Sequence, residues 1–112
     1  MKVEIINVYS NEAPKGSGLK GDHGQSFLIK TDKLNILFDV GSKGKILTHN
    51  MDVLNIEPND IDIVILSHGH YDHTAGLPAF LDKRNSKKLP VYAHPEIREK
   101  KTGKLGPLKL DL

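Results

Sequence analysis

The sequence predicts a mixed α/β (α+β) fold on three observations. Short β-branched and aliphatic runs recur along the chain. Two segments with apolar residues at helical spacing separate the later runs. The most continuous run, residues 61–66, leads directly into a histidine-rich stretch.

Residues 3–8 read as a first short strand. Residues 11–24 then supply Pro14 with Gly16, Gly18, Gly21 and Gly24, a long turn-forming loop of the kind that carries function in small domains. Residues 26–29 and 34–38 flank the polar turn 30–33, whose length suits antiparallel strands, and together they predict a hairpin. After Asp39-Val40-Gly41-Ser42, apolar residues at Ile46, Leu47, Met51 and Leu54 form a helical stripe. Ser42 is its candidate cap and Pro58-Asn59 its stop, while His49 and Asn50 interrupt it. The run Ile61-Asp62-Ile63-Val64-Ile65-Leu66 fits a strand covered on both faces. Residues 74–83 place Ala75, Leu77, Phe80 and Leu81 at helical spacing, with Pro78 tolerated near the first turn. Val91-Tyr92-Ala93 is a last short strand, and the Lys-rich segment from Glu96 onward has no long apolar period.

The chain of 112 residues supports one small domain. It has no cysteine, which excludes disulfides, thiolate zinc sites, iron–sulfur clusters and cysteine nucleophiles; any metal must be held by His, Asp or Glu. No apolar run approaches the ~20 residues of a membrane-spanning helix, and residues 1–10 build no signal segment, so a cytoplasmic protein with no membrane partner is expected. Charge divides along the chain: residues 1–82 carry seven basic and eleven acidic side chains, residues 83–112 nine and three. The basic end is read as solvated surface, and nucleic acid is not the expected partner.

The chemistry concentrates in Ser67-His68-Gly69-His70-Tyr71-Asp72-His73. A strand puts residues i and i+2 on one face, so His68 and His70, leaving the strand of residues 61–66, can present two imidazoles to one ion. Asp72 and His73, at the start of the next helix, can turn toward a second ion, and a pair of ions about 3.5–4 Å apart can hold a bridging hydroxide. Imidazole and carboxylate donors suit Zn, Fe, Mn, Co or Ni alike.

The motif His68-x-His70-x-Asp72-His73 resembles the signature of the metallo-β-lactamase superfamily. Phe38-Asp39-Val40-Gly41 resembles that family's strand-ending Asp-x-Gly, and residues 63–67 resemble the strand feeding its metal loop; Gly76-Leu77 and residues 91–95 also fit. The run His23-Gly24-Gln25-Ser26-Phe27-Leu28-Ile29, with residues 37–41 and His49-Asn50, is similar to the branch of dihydropterin-ribofuranosylaminobenzene-phosphate synthases. The resemblance implies an αββα sandwich with the metal site at one edge. It makes His68 and His70 ligands of a first divalent metal and Asp72 and His73 ligands of a second, zinc foremost, with iron or manganese as alternatives. In a metal-dependent hydrolase of this kind, Asp72 is also the expected catalytic residue, orienting the nucleophile or carrying its proton. Asp39 then supports the ligand loop from outside the coordination sphere. His23, His49 and His94 lie outside the motif and are read as structural or pocket-facing.

The further ligand histidines and bridging acid of the family are absent after Pro95. Residues 1–95 are therefore expected to form the N-terminal half of such a domain, with 96–112 a basic tail. The expected function is metal-dependent hydrolysis of a small phosphorylated or ester substrate through a metal-bound hydroxide. A noncatalytic metal-binding half that pairs with another chain and a nuclease of the same superfamily are the alternatives. The isolated chain is expected to be weakly active at most. It is also expected to expose an apolar sheet surface that takes a complementary C-terminal half or a second copy of itself.

Overall fold

The computed structural model describes residues 2–67, 74–85 and 89–93. Its sheet runs in the order β1 (Glu4–Tyr9), β2 (Ser26–Lys30), β3 (Asn35–Phe38), β4 (Ile63–Leu66), β5 (Val91–Ala93). The first three strands are antiparallel neighbours, whereas β3, β4 and β5 are parallel, so the chain must cross over between them. Helix α1 (Gly44–Val53) makes the first crossover and α2 (Leu77–Asp82) lies in the second.

The hairpin expected around residues 30–33 is closed by Thr31, whose hydroxyl accepts the N–H groups of Lys33 and Leu34. In β1 the register shifts between Asn7 and Tyr9, and this bulge lets two consecutive side chains, Val8 and Tyr9, both turn inward.

One face of the sheet carries the register row Leu28, Leu37, Val64 and Val91, each no more than 3% exposed. Leu47 and Met51 of α1 and Leu77 and Phe80 of α2 are buried in the same core cluster. The opposite face is also apolar. It aligns Ile5, Ile29, Ile36 and Ile63 in one row and Phe27, Phe38, Ile65 and Tyr92 in the next. Ile5 is 66% exposed and Tyr92 43%, with the side chains between them half-buried.

Two helix boundaries differ from expectation. Ser42 does not cap α1: Lys43 holds the cap position without a side-chain bond, and the Ser42 hydroxyl donates instead to the His23 carbonyl. Nor does Pro58 stop the helix. It ends at Val53 with Leu54 as its cap; the Asn55 N–H still reaches the Asp52 carbonyl, and Asn55 adopts φ +59°, which turns the N–H of Ile56 back to the Met51 carbonyl. Pro58–Asp60 forms a short 3₁₀ turn, to which Arg84, just past α2, is tied through its bonds to the carbonyls of Pro58 and Ile61. Among the described residues no helix is long and apolar enough to cross a membrane.

Candidate functional site

The parallel pairing of β3 and β4 sets Phe38 opposite Ile65, so both chains leave the sheet at the same edge. Asp39 leaves first, its N–H donating to the Ile65 carbonyl at 2.8 Å. It is fully buried and adopts φ +60°, a left-handed conformation that Asp tolerates better than most residues. That conformation brings its carboxylate to Ser67: Oδ1 accepts the Ser67 N–H at 2.7 Å and Oδ2 accepts the Ser67 hydroxyl, also at 2.7 Å. Gln25 Nε2 donates to Oδ2 at 3.0 Å, and the Ser26 hydroxyl donates to the Asp39 carbonyl at 2.7 Å. Asp39 is thus bonded from the start of β2 and from the end of β4.

Two residues on, Gly41 has φ +72°, and a Cβ there would lie 2.6 Å from the Tyr9 ring. Its N–H donates to the Gln25 carbonyl and its own carbonyl accepts the Gly76 N–H, both at 3.0 Å. Gly76 approaches so closely that a Cβ on it would lie 2.1 Å from the Val40 carbonyl oxygen. The turn Asp39-Val40-Gly41 therefore holds Ser67 at one end and Gly76 at the other, on the two sides of residues 68–73.

Of the residues expected at the site, Asp39 is placed as described. His68, His70, Asp72 and His73 lie outside the described residues, as does His94. Among the described residues no group of three or more His, Asp or Glu gathers. His49 sits on α1 with its ring Nε2 2.8 Å from the Gly18 carbonyl, and its neighbour Asn50 bonds Val8 and Lys20, so both hold the glycine-rich loop. His23 contributes backbone: its N–H donates to Asp22, and its carbonyl accepts from Ser42. Beside it, Lys43 pairs with Asp22 at 2.8 Å. The bond from Lys43, aided by the His23 N–H, holds the Asp22 carboxyl below its ordinary range.

Sequence reasoning missed Gln25 and Ser26 as parts of this arrangement. A Gln after Gly24 carries no periodic signal; only the β2–β3 register, which pairs Phe27 with Phe38, brings residue 25 beside Asp39.

Three comparisons bear on the chain. The model of the Metallo-beta-lactamase superfamily matches residues 19–108. The chain is 41% identical over 103 residues to a 7,8-dihydropterin-6-methyl-4-(beta-D-ribofuranosyl)-aminobenzene-5'-phosphate synthase of Methanocaldococcus jannaschii, a match covering 86% of this chain and 35% of that one. It is 37% identical over 74 residues to the exodeoxyribonuclease WalJ of Streptococcus pneumoniae, covering 66% of this chain and 26% of the relative. Among solved structures, the metallo-beta-lactamase GOB-18 of Elizabethkingia meningoseptica superposes with a TM-score of 0.54 at 30% identity, over 80% of this chain and 31% of that one. The matches thus span between about a quarter and a third of the length of these relatives.

Proposed function

Because the chain belongs to the metallo-β-lactamase superfamily, we propose that it is a metal-dependent, hydrolase-like protein acting on a small phosphorylated or ester substrate. The observation that carries this reading is the pinning of both flanks of residues 68–73 to one turn, Ser67 to Asp39 and Gly76 to Gly41. A ligand segment anchored at both ends loses less entropy when it closes on an ion.

The donor chemistry fits a divalent metal. His68, His70, Asp72 and His73 offer imidazole and carboxylate, and the buried Asp39 carboxylate, bonded to Ser67, supports the residue before His68 from outside that donor set. On this reading His68 and His70 hold one ion and Asp72 and His73 a second. When bound, such ions, zinc first with iron or manganese as alternatives, supply Lewis acidity and the means to activate water at neutral pH. The chain's own contribution is orientation. Asp72 would orient the attacking water or carry its proton, and Asp39 keeps the exit of β4 in place through Ser67.

A phosphorylated substrate is supported by the relatives' names, one built on a ribofuranosyl 5'-phosphate and another on deoxyribonuclease activity. The second of these, with the basic residues of 83–112, favours a nuclease as the alternative reading. We assign the open face of the sheet to contact with a second apolar sheet, from a complementary polypeptide or another copy of the chain. We also place the protein in the cytoplasm.

Zinc bound by the purified chain, measured by equilibrium dialysis before and after His70→Ala, tests the ligand assignment. Bound metal is expected to fall, and unchanged stoichiometry refutes the assignment. On the same sample, cleavage of single-stranded DNA that weakens steeply with salt would select the nuclease, and a monodisperse monomer in sedimentation would refute the role given to the open face.

A further inference from the structure

We propose that Gln25 is a positioning residue for the metal centre, acting through Asp39; this rests on the reading of residues 68–73 as the ligand segment. The terminal torsion of the Asp39 carboxylate is intrinsically broad, so the plane of Oδ1 and Oδ2 is set by the donors around it. Ser67 supplies two of them, but its hydroxyl is a rotor whose hydrogen can turn elsewhere.

Gln25 adds a donor to Oδ2 from a different strand. The Gln25 amide presents Nε2 to Oδ2, which fixes the side chain's orientation as well. The backbone behind it is anchored on both sides. The Gln25 carbonyl accepts the Gly41 N–H, the preceding Gly24 N–H donates to Asn11, and the following Ser26, fully buried, bonds the Asp39 carbonyl. Gln25 itself is only half-buried, so apolar packing does not account for its placement. The Gln25 amide, the Asp39 carboxylate and the Ser67 N–H form a relay from the glycine-rich loop to the residue that precedes His68. Removing the amide takes away the donor that reaches Oδ2 from the start of β2, and the orientation of the carboxylate that holds Ser67 changes with it.

The test uses Co²⁺ as the probe with the full 112-residue chain. Gln25→Met preserves length and removes the donor; circular dichroism and melting of the metal-free protein are recorded first. Affinity for Co²⁺ is expected to fall about 3- to 10-fold, less than the 10- to 100-fold typical of a direct partner to a ligand. The visible d–d absorption at full saturation is expected to shift, which a merely structural role would not cause. Should Gln25→Met not fold, Gln25→Asn, whose amide sits one methylene short of Asp39, gives the same comparison. A variant with wild-type affinity and an unshifted saturated spectrum overturns the role of Gln25 and leaves the metal reading standing. A wild-type chain that takes up no Co²⁺ overturns both.

Discussion

Replacing Asn50 with Ala is the most informative single perturbation of this fold. Asn50 is 1% exposed, and its amide is fully used: Oδ1 accepts the Lys20 N–H at 2.8 Å, while Nδ2 donates to the Val8 carbonyl at 2.9 Å and to the Lys20 carbonyl at 2.8 Å. It joins α1 to the bulged end of β1 and to the glycine-rich loop at once. Truncation leaves the Val8 carbonyl without this donor in a buried setting, at a cost of about 2 kcal/mol. The two Lys20 groups lie at an exposed residue that water can reach, so they add only about 0.5 kcal/mol each. The expected loss is about 3 kcal/mol, which for a domain of this size lowers Tm by about 12–24 °C. Asn50→Leu, which keeps most of the volume, should recover little of this loss if the bonds are responsible. Thermal and urea unfolding followed by circular dichroism give the energy, and hydrogen exchange at the Lys20 amide reports the loop. A change within about 0.5 kcal/mol of wild type, with unaltered Lys20 protection, would refute the reasoning.

Gly76→Ala should destabilise by about 2–3 kcal/mol in urea unfolding, because Gly76 has an ordinary φ of −75° and the new Cβ meets the Val40 carbonyl, which is backbone and cannot swing aside. Gly16→Ala, with open space but φ +78°, is the control and should cost only about 1 kcal/mol. Lys43→Met should raise the Asp22 titration midpoint toward the ordinary carboxylate range, read by NMR. Because the folded carboxyl titrates below its unfolded value, the pair's stabilisation is present above the unfolded value and fades as pH falls through the folded one; the variant should show a smaller acid-side loss, the part due to the His23 N–H remaining.

Local pattern made much of the fold legible. The hairpin, a strand before His68, both helices and the last short strand follow from spacing and turn residues, because each depends on neighbours in sequence; that strand is covered on one face only, with Ile63 and Ile65 half-buried on the other. Helix boundaries did not follow, since they are set by distant competitors. Ser42 is bonded to His23 and Tyr9 instead of to the helix start, and α1 ends at Val53, well ahead of Pro58, with Asn55 beyond it in a left-handed turn.

The sequence by itself determined the chemistry of the candidate centre: four imidazole and carboxylate donors in six residues, no thiolate, and an Asp-x-Gly after an apolar strand. Those are properties of composition and short spacing, which folding does not alter. Only the tertiary structure decided why Asn50 interrupts an apolar stripe, why Gly41 and Gly76 admit no side chain, and which residues reach Asp39. Gln25, Asp39 and Ser67 are separated by 14 and 28 positions along the chain. They meet because β2 pairs antiparallel and β4 parallel to β3; the turn at Thr31 sets the first register locally, whereas the second is an outcome of burying Leu37 and Val64 side by side across a crossover, which no local pattern encodes.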